Sequence, residues 1–368
     1  MMRRMTWAKN ERRKSYLYAC LLLCFLTSSY VRAQEPQLPS DPPPVMPRPT
    51  PKPPPHVEQE IDEGDVISVS TSEVMLPVTV RDGNGRLVTE LTRTDFRVFE
   101  DGREQPLSDL ALRRVPVDVV LMVDASSSAA ANLEDFRRAV EGFVSKLSPE
   151  DRISLIKFDD RVELLQDWTR SRVQLRRSLR RVSPGVFTRF NDALLLAARE
   201  QLAQAGGRHA VIVLTDGIDS GRGYATLEAA LRSLLEAQAT VYVVSNTEIE
   251  RRRKREELDS LLAQTPSVVR FNELRIGDLR EGLKVLDASE RNLEQLTAAT
   301  GGRLYKPQSF DQLDATYAEV AEELRQQYAL FYTPLNKTRD GSFRRVRVQT
   351  TTASHQVSAR IGYFAPGR

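Results

Sequence analysis

VDVVLMVDASSS, residues 117–128, is the stretch from which the fold can be read. Its run from Val117 to Val123 is apolar except for Asp118. A short run of this kind forms a strand buried on both faces of a parallel sheet. It ends in a carboxylate, Asp124, and the chain continues through Ser126, Ser127 and Ser128. A strand that stops in Asp-x-Ser-x-Ser sets one carboxylate and two hydroxyls at the carboxyl edge of the sheet. In open α/β sheets that edge is where ligands bind. The group is all oxygen, without thiol or imidazole, and such sets suit hard cations such as Mg²⁺ or Mn²⁺.

Downstream, strands and helices alternate. Residues 133–147 carry Leu133, Phe136, Val140, Phe143, Val144 and Leu147 at the spacing of an amphipathic helix. Strands are expected at 152–158 and 161–166, with Asp159-Asp160 between them, and a helix at 173–182. A helix at 192–205 precedes a second apolar strand, 210–214, which ends in Thr215-Asp216-Gly217. A helix at 227–237, a strand at 240–244, a helix at 293–299, a short strand at 303–306 and a last helix at 310–327 continue the series. The pattern predicts an α/β fold: a doubly wound, mostly parallel, Rossmann-like sheet with helices on both faces. Residues 248–286 read as less regular. They hold the run Arg251-Arg252-Arg253-Lys254-Arg255, flanked by Glu248, Glu250, Glu256 and Glu257. That run reads as a solvated helix face, with an anionic partner as the alternative.

On either side of this series the chain reads as β structure. Residues 63–114 alternate in short runs, and Asp82-Gly83-Asn84-Gly85 is a strong hairpin signal. Residues 105–112 read as one strand. Residues 328–368 hold three further alternating stretches. Neither part can close two layers alone. The N- and C-terminal strands are therefore expected to pair as a small β-sandwich into which the α/β domain is inserted. The plan is an α/β domain at 115–308, a connecting helix at 309–327, and the two β regions.

The chain has 368 residues and a formal charge of +3, and that charge misleads. Residues 1–33 contribute +6 of it, from seven Lys/Arg and Glu11. The remainder is near −3, which gives no electrostatic case for nucleic acid. Residues 1–33 have the basic start, short apolar core and Val31-Arg32-Ala33 end of a secretory signal. An uncleaved anchor is the alternative, and membrane contact is expected only in that case. Both cysteines, Cys20 and Cys24, fall inside this segment. An exported remainder would then rely on packed cores rather than disulfides. Eleven prolines in residues 36–55 make 34–62 a semi-rigid polyproline spacer.

Three separated stretches carry a family resemblance: DASSS (124–128), GVFTRFNDAL (185–194) and VIVLTDG (211–217). In that order they resemble the metal-ion-dependent adhesion site (MIDAS) of von Willebrand factor type A (VWA) domains. The resemblance implies a metal set of Asp124, Ser126, Ser128, Thr188 and Asp216, a Mg²⁺ or Mn²⁺ ion, and a protein ligand that presents Asp or Glu to it. Val186-Phe187 stands where the family has small glycines, so this loop is expected to be stiffer or closed over the site. Asp192 reads as a helix N-terminal or supporting group. FRVFEDGREQPLSDL (96–110), LRQQYALFYTP (324–334), DGSFRRVRVQT (340–350) and ARIGYFAP (359–366) are similar to a bacterial exported subgroup, the VWFA-related proteins first described in Acidobacteria.

Enzyme chemistry finds little support. His56, His209 and His355 stand far apart, and there is no Gly-x-Ser-x-Gly elbow or Gly-rich phosphate loop. A phosphotransferase with an Asp on Mg²⁺ needs a second Asp two residues on, where Ser126 stands here. No small-molecule substrate is expected. The reading is a Mg²⁺-dependent, non-enzymatic protein-binding module in the periplasm, in the envelope or secreted. The alternatives are a structural envelope protein with a vestigial site and, less favoured, a phosphoryl-transfer enzyme.

Overall fold

Alternation along residues 117–124 feeds two cores at once. Val117, Val119, Leu121 and Val123 pack into one apolar cluster, and Val120 and Met122 into another on the opposite face. Asp118, which interrupts the apolar run, is buried and takes two hydrogen bonds from Arg152, at 2.5 and 2.8 Å. The structure, a computed structural model, describes residues 73–112, 115–126, 133–205, 207–215, 217–219, 221 and 223–367. The expected signal and the proline-rich linker lie outside the described residues, as do Ser128 and Asp216 of the candidate metal set.

In chain order the strands are β1 (Val74–Arg81), β2 (Phe96–Glu100), β3 (Arg103–Gln105), β4 (Leu107–Leu112), β5 (Val117–Asp124), β6 (Arg152–Phe158), β7 (Val162–Thr169), β8 (Arg208–Thr215), β9 (Ala239–Ser245), β10 (Arg303–Tyr305), β11 (Tyr328–Tyr332), β12 (Phe343–Thr350), β13 (Gln356–Ser358) and β14 (Gly362–Phe364). The α-helices are α1 (Leu133–Lys146), α2 (Arg172–Leu179), α3 (Phe190–Leu196), α4 (Leu227–Glu236), α5 (Thr247–Leu262), α6 (Pro266–Phe271), α7 (Glu273–Thr300) and α8 (Leu313–Gln326).

The six-stranded sheet has the order β10-β9-β8-β5-β6-β7, parallel except for the edge strand β7. Helices α1, α2 and α8 cover one face, and α3, α4 and α7 the other. The last helix, expected as a connector, buries Leu313, Tyr317, Val320 and Leu324 in the same core as β5. From β5 the chain goes first to β6 on one side and later to β8 on the other. The carboxyl end of β5 is therefore the topological switch point of the sheet. Asp124 stands there.

The flanking strands pair as the sequence suggested. One four-stranded sheet has the order β13-β1-β11-β4, the other β14-β12-β2-β3. Each mixes strands from before and after the α/β domain, and the two share one apolar cluster. The stretch 105–112 is not one strand: Gln105 ends β3 in one sheet and Leu107 begins β4 in the other. Pro106 lies between them, with no N–H for a ladder. Arg208 ties the two crossings into the α/β domain together, donating to Val115 O at 3.0 Å and to Leu324 O at 3.0 Å.

Residues 247–300, read as irregular in part, are helical almost throughout. Their buried stripe is thin. In α7 it runs Ile276, Leu279, Leu286, Leu293 and Leu296 among charged neighbours. Gly301, at φ +77°, ends the helix in the left-handed region.

Inside the sandwich Glu100 is buried and accepts from Tyr332 and Tyr363, both at 2.8 Å, with Arg344 at 3.4 Å. Removing one member of such a group strands the others out of water. Glu100→Ala should cost about 3 kcal/mol in urea unfolding. A cost below about 1 kcal/mol would show that the network is dispensable.

Candidate metal centre

All eight residues of β5 are buried, so the sheet carries its terminal carboxylate inward with it. Asp124 is 4% exposed. Its Oδ1 accepts from Ser126 N at 2.9 Å. Its Oδ2 accepts from the Thr215 hydroxyl, at the end of β8, at 2.6 Å. Burial pushes the Asp124 carboxyl above its ordinary pKa, and the nearby charge of Asp159 pushes it further. The hydroxyls of Ser126 and Thr215 draw it back only in part. Among the described residues no cation pairs with Asp124.

Thr188, also buried, sits on the loop between α2 and α3. That loop is fastened from below. Gly185 N donates to Ala125 O at 2.7 Å, one residue from Asp124. Val186 N and Phe187 N donate to the two carboxylate oxygens of Asp160, at 3.0 and 3.1 Å. A Cβ on Gly185 would come within 2.5 Å of the Asp159 carboxylate, so only glycine fits there. Asp159 is held by Lys157 at 2.5 Å. Val186 is 63% exposed, on a loop whose backbone these bonds hold.

The loop after Thr215 is sewn to the same helix. Asp192 accepts from Tyr224 N at 2.9 Å and Ala225 N at 2.8 Å, and pairs with Arg189. Asp219 accepts from Asn191 N at 2.9 Å and Gly221 N at 2.8 Å. Asp192 thus anchors the 217–225 loop. The structure brings Asp124 and Ser126 together directly and ties the Thr188 loop beside them. Ser128 and Asp216 lie outside the described residues. Sequence reasoning missed the supporting carboxylates Asp159, Asp160 and Asp219 and the bridging hydroxyl of Thr215. The one available signal was that Asp159-Asp160 also follows a strand end.

The donors fit a hard divalent cation. Among the described residues they are hydroxyls around one carboxylate, whose charge no cationic side chain compensates. Among the described residues there is no cluster of three His, Cys, Asp or Glu, so no softer or more acidic metal set competes.

The fold and this site define a metal-site binding domain. The von Willebrand factor type A domain model matches residues 118–319, and the chain belongs to that family. Domains of this family are binding modules, and their MIDAS motif binds a divalent metal. The chain is 31% identical over 150 residues to the Arabidopsis thaliana protein named "Probable E3 ubiquitin-protein ligase WAVH2", across 38% of this chain and 20% of that protein. It thus spans about a fifth of that relative. Among solved structures, the vWF domain of the type V pili tip protein Mfa5 from Porphyromonas gingivalis is 29% identical (TM-score 0.27), over 28% of this chain and 39% of that one. A von Willebrand factor type A protein from Catenulispora acidiphila is 9% identical (TM-score 0.43), over 81% and 75%. Proximal thread matrix protein 1 from the mussel byssus, with zinc in its MIDAS motif, is 16% identical (TM-score 0.43), over 61% and 49%.

A buried carboxylate without a cation destabilises the metal-free fold. In chelator, Asp124→Asn should therefore unfold at higher temperature than the wild type, by about 2 kcal/mol of added stability. The advantage is complete above the raised folded pKa of Asp124. It shrinks as pH falls through that value, because wild-type Asp124 then takes up its proton. Calorimetric unfolding across pH checks this, and a variant less stable than wild type at neutral pH would contradict it.

Proposed function

We propose that the chain is an exported, non-enzymatic module that binds a protein partner through Mg²⁺ or Mn²⁺ held by Asp124, Ser126, Ser128, Thr188 and Asp216. The observation that carries this reading is the buried Asp124, which accepts from hydroxyls and pairs with no cationic side chain among the described residues, at the switch point of a VWA sheet. A divalent cation bound there would act as a Lewis acid toward one more hard oxygen ligand. The protein's part is to supply mostly neutral oxygens. Ser126 and Thr188 carry hydroxyl oxygens, and the Thr215 hydroxyl donates to Asp124 and fixes the carboxylate's orientation. With little negative charge donated by the protein, an Asp or Glu of the partner is the group that completes the shell.

The rim supports a protein as the partner. Tyr224 is 95% exposed, on the loop that Asp192 anchors, and Arg189 lies over its ring at 5.2 Å. With Val186 it offers the apolar contact that surrounds a polar anchor in protein interfaces. Export is supported by the composition of residues 1–33, and the proline-rich 34–62 would serve as a spacer between signal and domains. Among the described residues no helix is long and apolar enough to cross a membrane.

The open position can be tested with bound Mn²⁺. Water-proton relaxation enhancement should be high in the binary complex and fall when a short peptide containing one Glu is added. The matching Gln peptide should leave it unchanged, and Thr188→Ala should weaken Mn²⁺ binding at least about tenfold. If the Glu and Gln peptides have the same effect, the carboxylate-capture reading fails.

A further inference from the structure

Helices α5 and α7 form an arm that rises from the same sheet edge as the metal centre. β9 runs parallel to β8 and ends at Ser245, and α5 starts at Thr247. Asn246 N donates to Thr215 O at 3.4 Å, so the foot of the arm touches the residue that holds Asp124. On the returning helix, Leu293 lies against Gly217, at the carboxyl edge. From there to its end α7 descends along the sheet, where Thr300 Oγ1 accepts from Val241 N at 3.2 Å. The part of α7 before Leu293 therefore extends beyond the edge. Its pairing with α5 confirms the direction: Arg251 with Asp287 and Glu290, Lys254 beside Gly282, and Glu257 with Arg275. The sixteen residues of α5 rise about 24 Å.

Two features of this arm point to a partner. Arg252, Arg253 and Arg255 are exposed, and none has a carboxylate within ion-pair distance among the described residues, in contrast to buried Arg251 with its three acidic partners. Arg252 donates only to the neutral Gln308. At the tip, Phe271 is 89% and Leu274 87% exposed. The metal-bearing β5 is two strands from β9, about 10 Å. The three arginines lie about 8–12 Å along α5 from its foot.

We infer that the α5–α7 arm is a second docking element, which takes an acidic segment of the protein whose carboxylate is bound at the metal centre. This rests on the metal-centre reading above. The chemistry is complementary: a partner that already presents one Asp or Glu meets three unpaired guanidiniums within reach of about five or six extended residues. The arm thus selects acidic runs over isolated carboxylates, and the apolar tip lies beyond, where a folded partner would extend.

The probes are fluorescein-labelled hexaglutamate and a hexapeptide of the same length with one Glu and five Ser, titrated into the full chain in Mg²⁺. Hexaglutamate should bind at least about tenfold tighter at low ionic strength, and the gap should narrow with salt. The triple variant R252E/R253E/R255E should remove the gap while Mg²⁺ affinity stays unchanged. A gap that survives the charge reversal overturns the inference and leaves the metal-centre reading standing. Binding of both peptides that ignores Mg²⁺ and Asp124→Ala instead overturns the metal-centre reading. Sedimentation should show a monomer. A dimer dispersed by F271S/L274S would assign the arm to a second copy of the chain and overturn the acidic-partner inference.

Discussion

A carboxylate buried at the end of the central strand, paired with no cationic side chain among the described residues, is the constraint on which the rest of the site depends. Burying an ion is expensive unless a counter-charge or a full set of hydrogen bonds offsets it. Asp124 has a backbone N–H and hydroxyls, and the like charge of Asp159 adds to the cost of ionising it. The surrounding carboxylates are treated differently. Asp159 has Lys157, Asp160 and Asp219 hold backbone N–H groups, and Asp192 has both an arginine and two N–H groups. Backbone N–H groups or cationic side chains hold the acids that support the loops, and a backbone N–H and hydroxyls hold the central one.

The supporting acids explain how loops can carry a precise site. Three loops meet at the edge: the one after β5, the one holding Thr188 and the one after β8. Asp160 fixes the second, while Asp192 and Asp219 tie the third to α3. Val186 and Phe187 occupy positions where the family uses glycine, and their N–H groups are the ones that Asp160 binds. That carboxylate holds the loop's backbone, and the Val186 side chain faces solvent.

Much of this was legible in the sequence, for identifiable reasons. The central runs of β5 (119–123) and β8 (210–214) are apolar because both faces of the sheet are covered, and each strand ends abruptly in polar residues that mark the edge. The pairing of terminal strands followed from two β regions too small to stand alone. What was not legible depends on contacts made at long range. The arm was hidden because α5 buries only Thr247 and Arg251 and α7 only a thin stripe, so no broad apolar face signals a helix. The division at Pro106 separates two strands that look continuous. Asp159-Asp160 read only as the link between two strands, and the approach of Gly185 and the bonds to Val186 and Phe187 show what it supports.

The central claim is that the Asp124 centre takes a divalent cation. Calorimetric titration of Mg²⁺ and of Mn²⁺ into the wild-type chain and into Asp124→Ala tests it most directly. The account predicts one saturable site in the wild type and none in the variant. No binding by the wild type, or equal binding by both proteins, would contradict it.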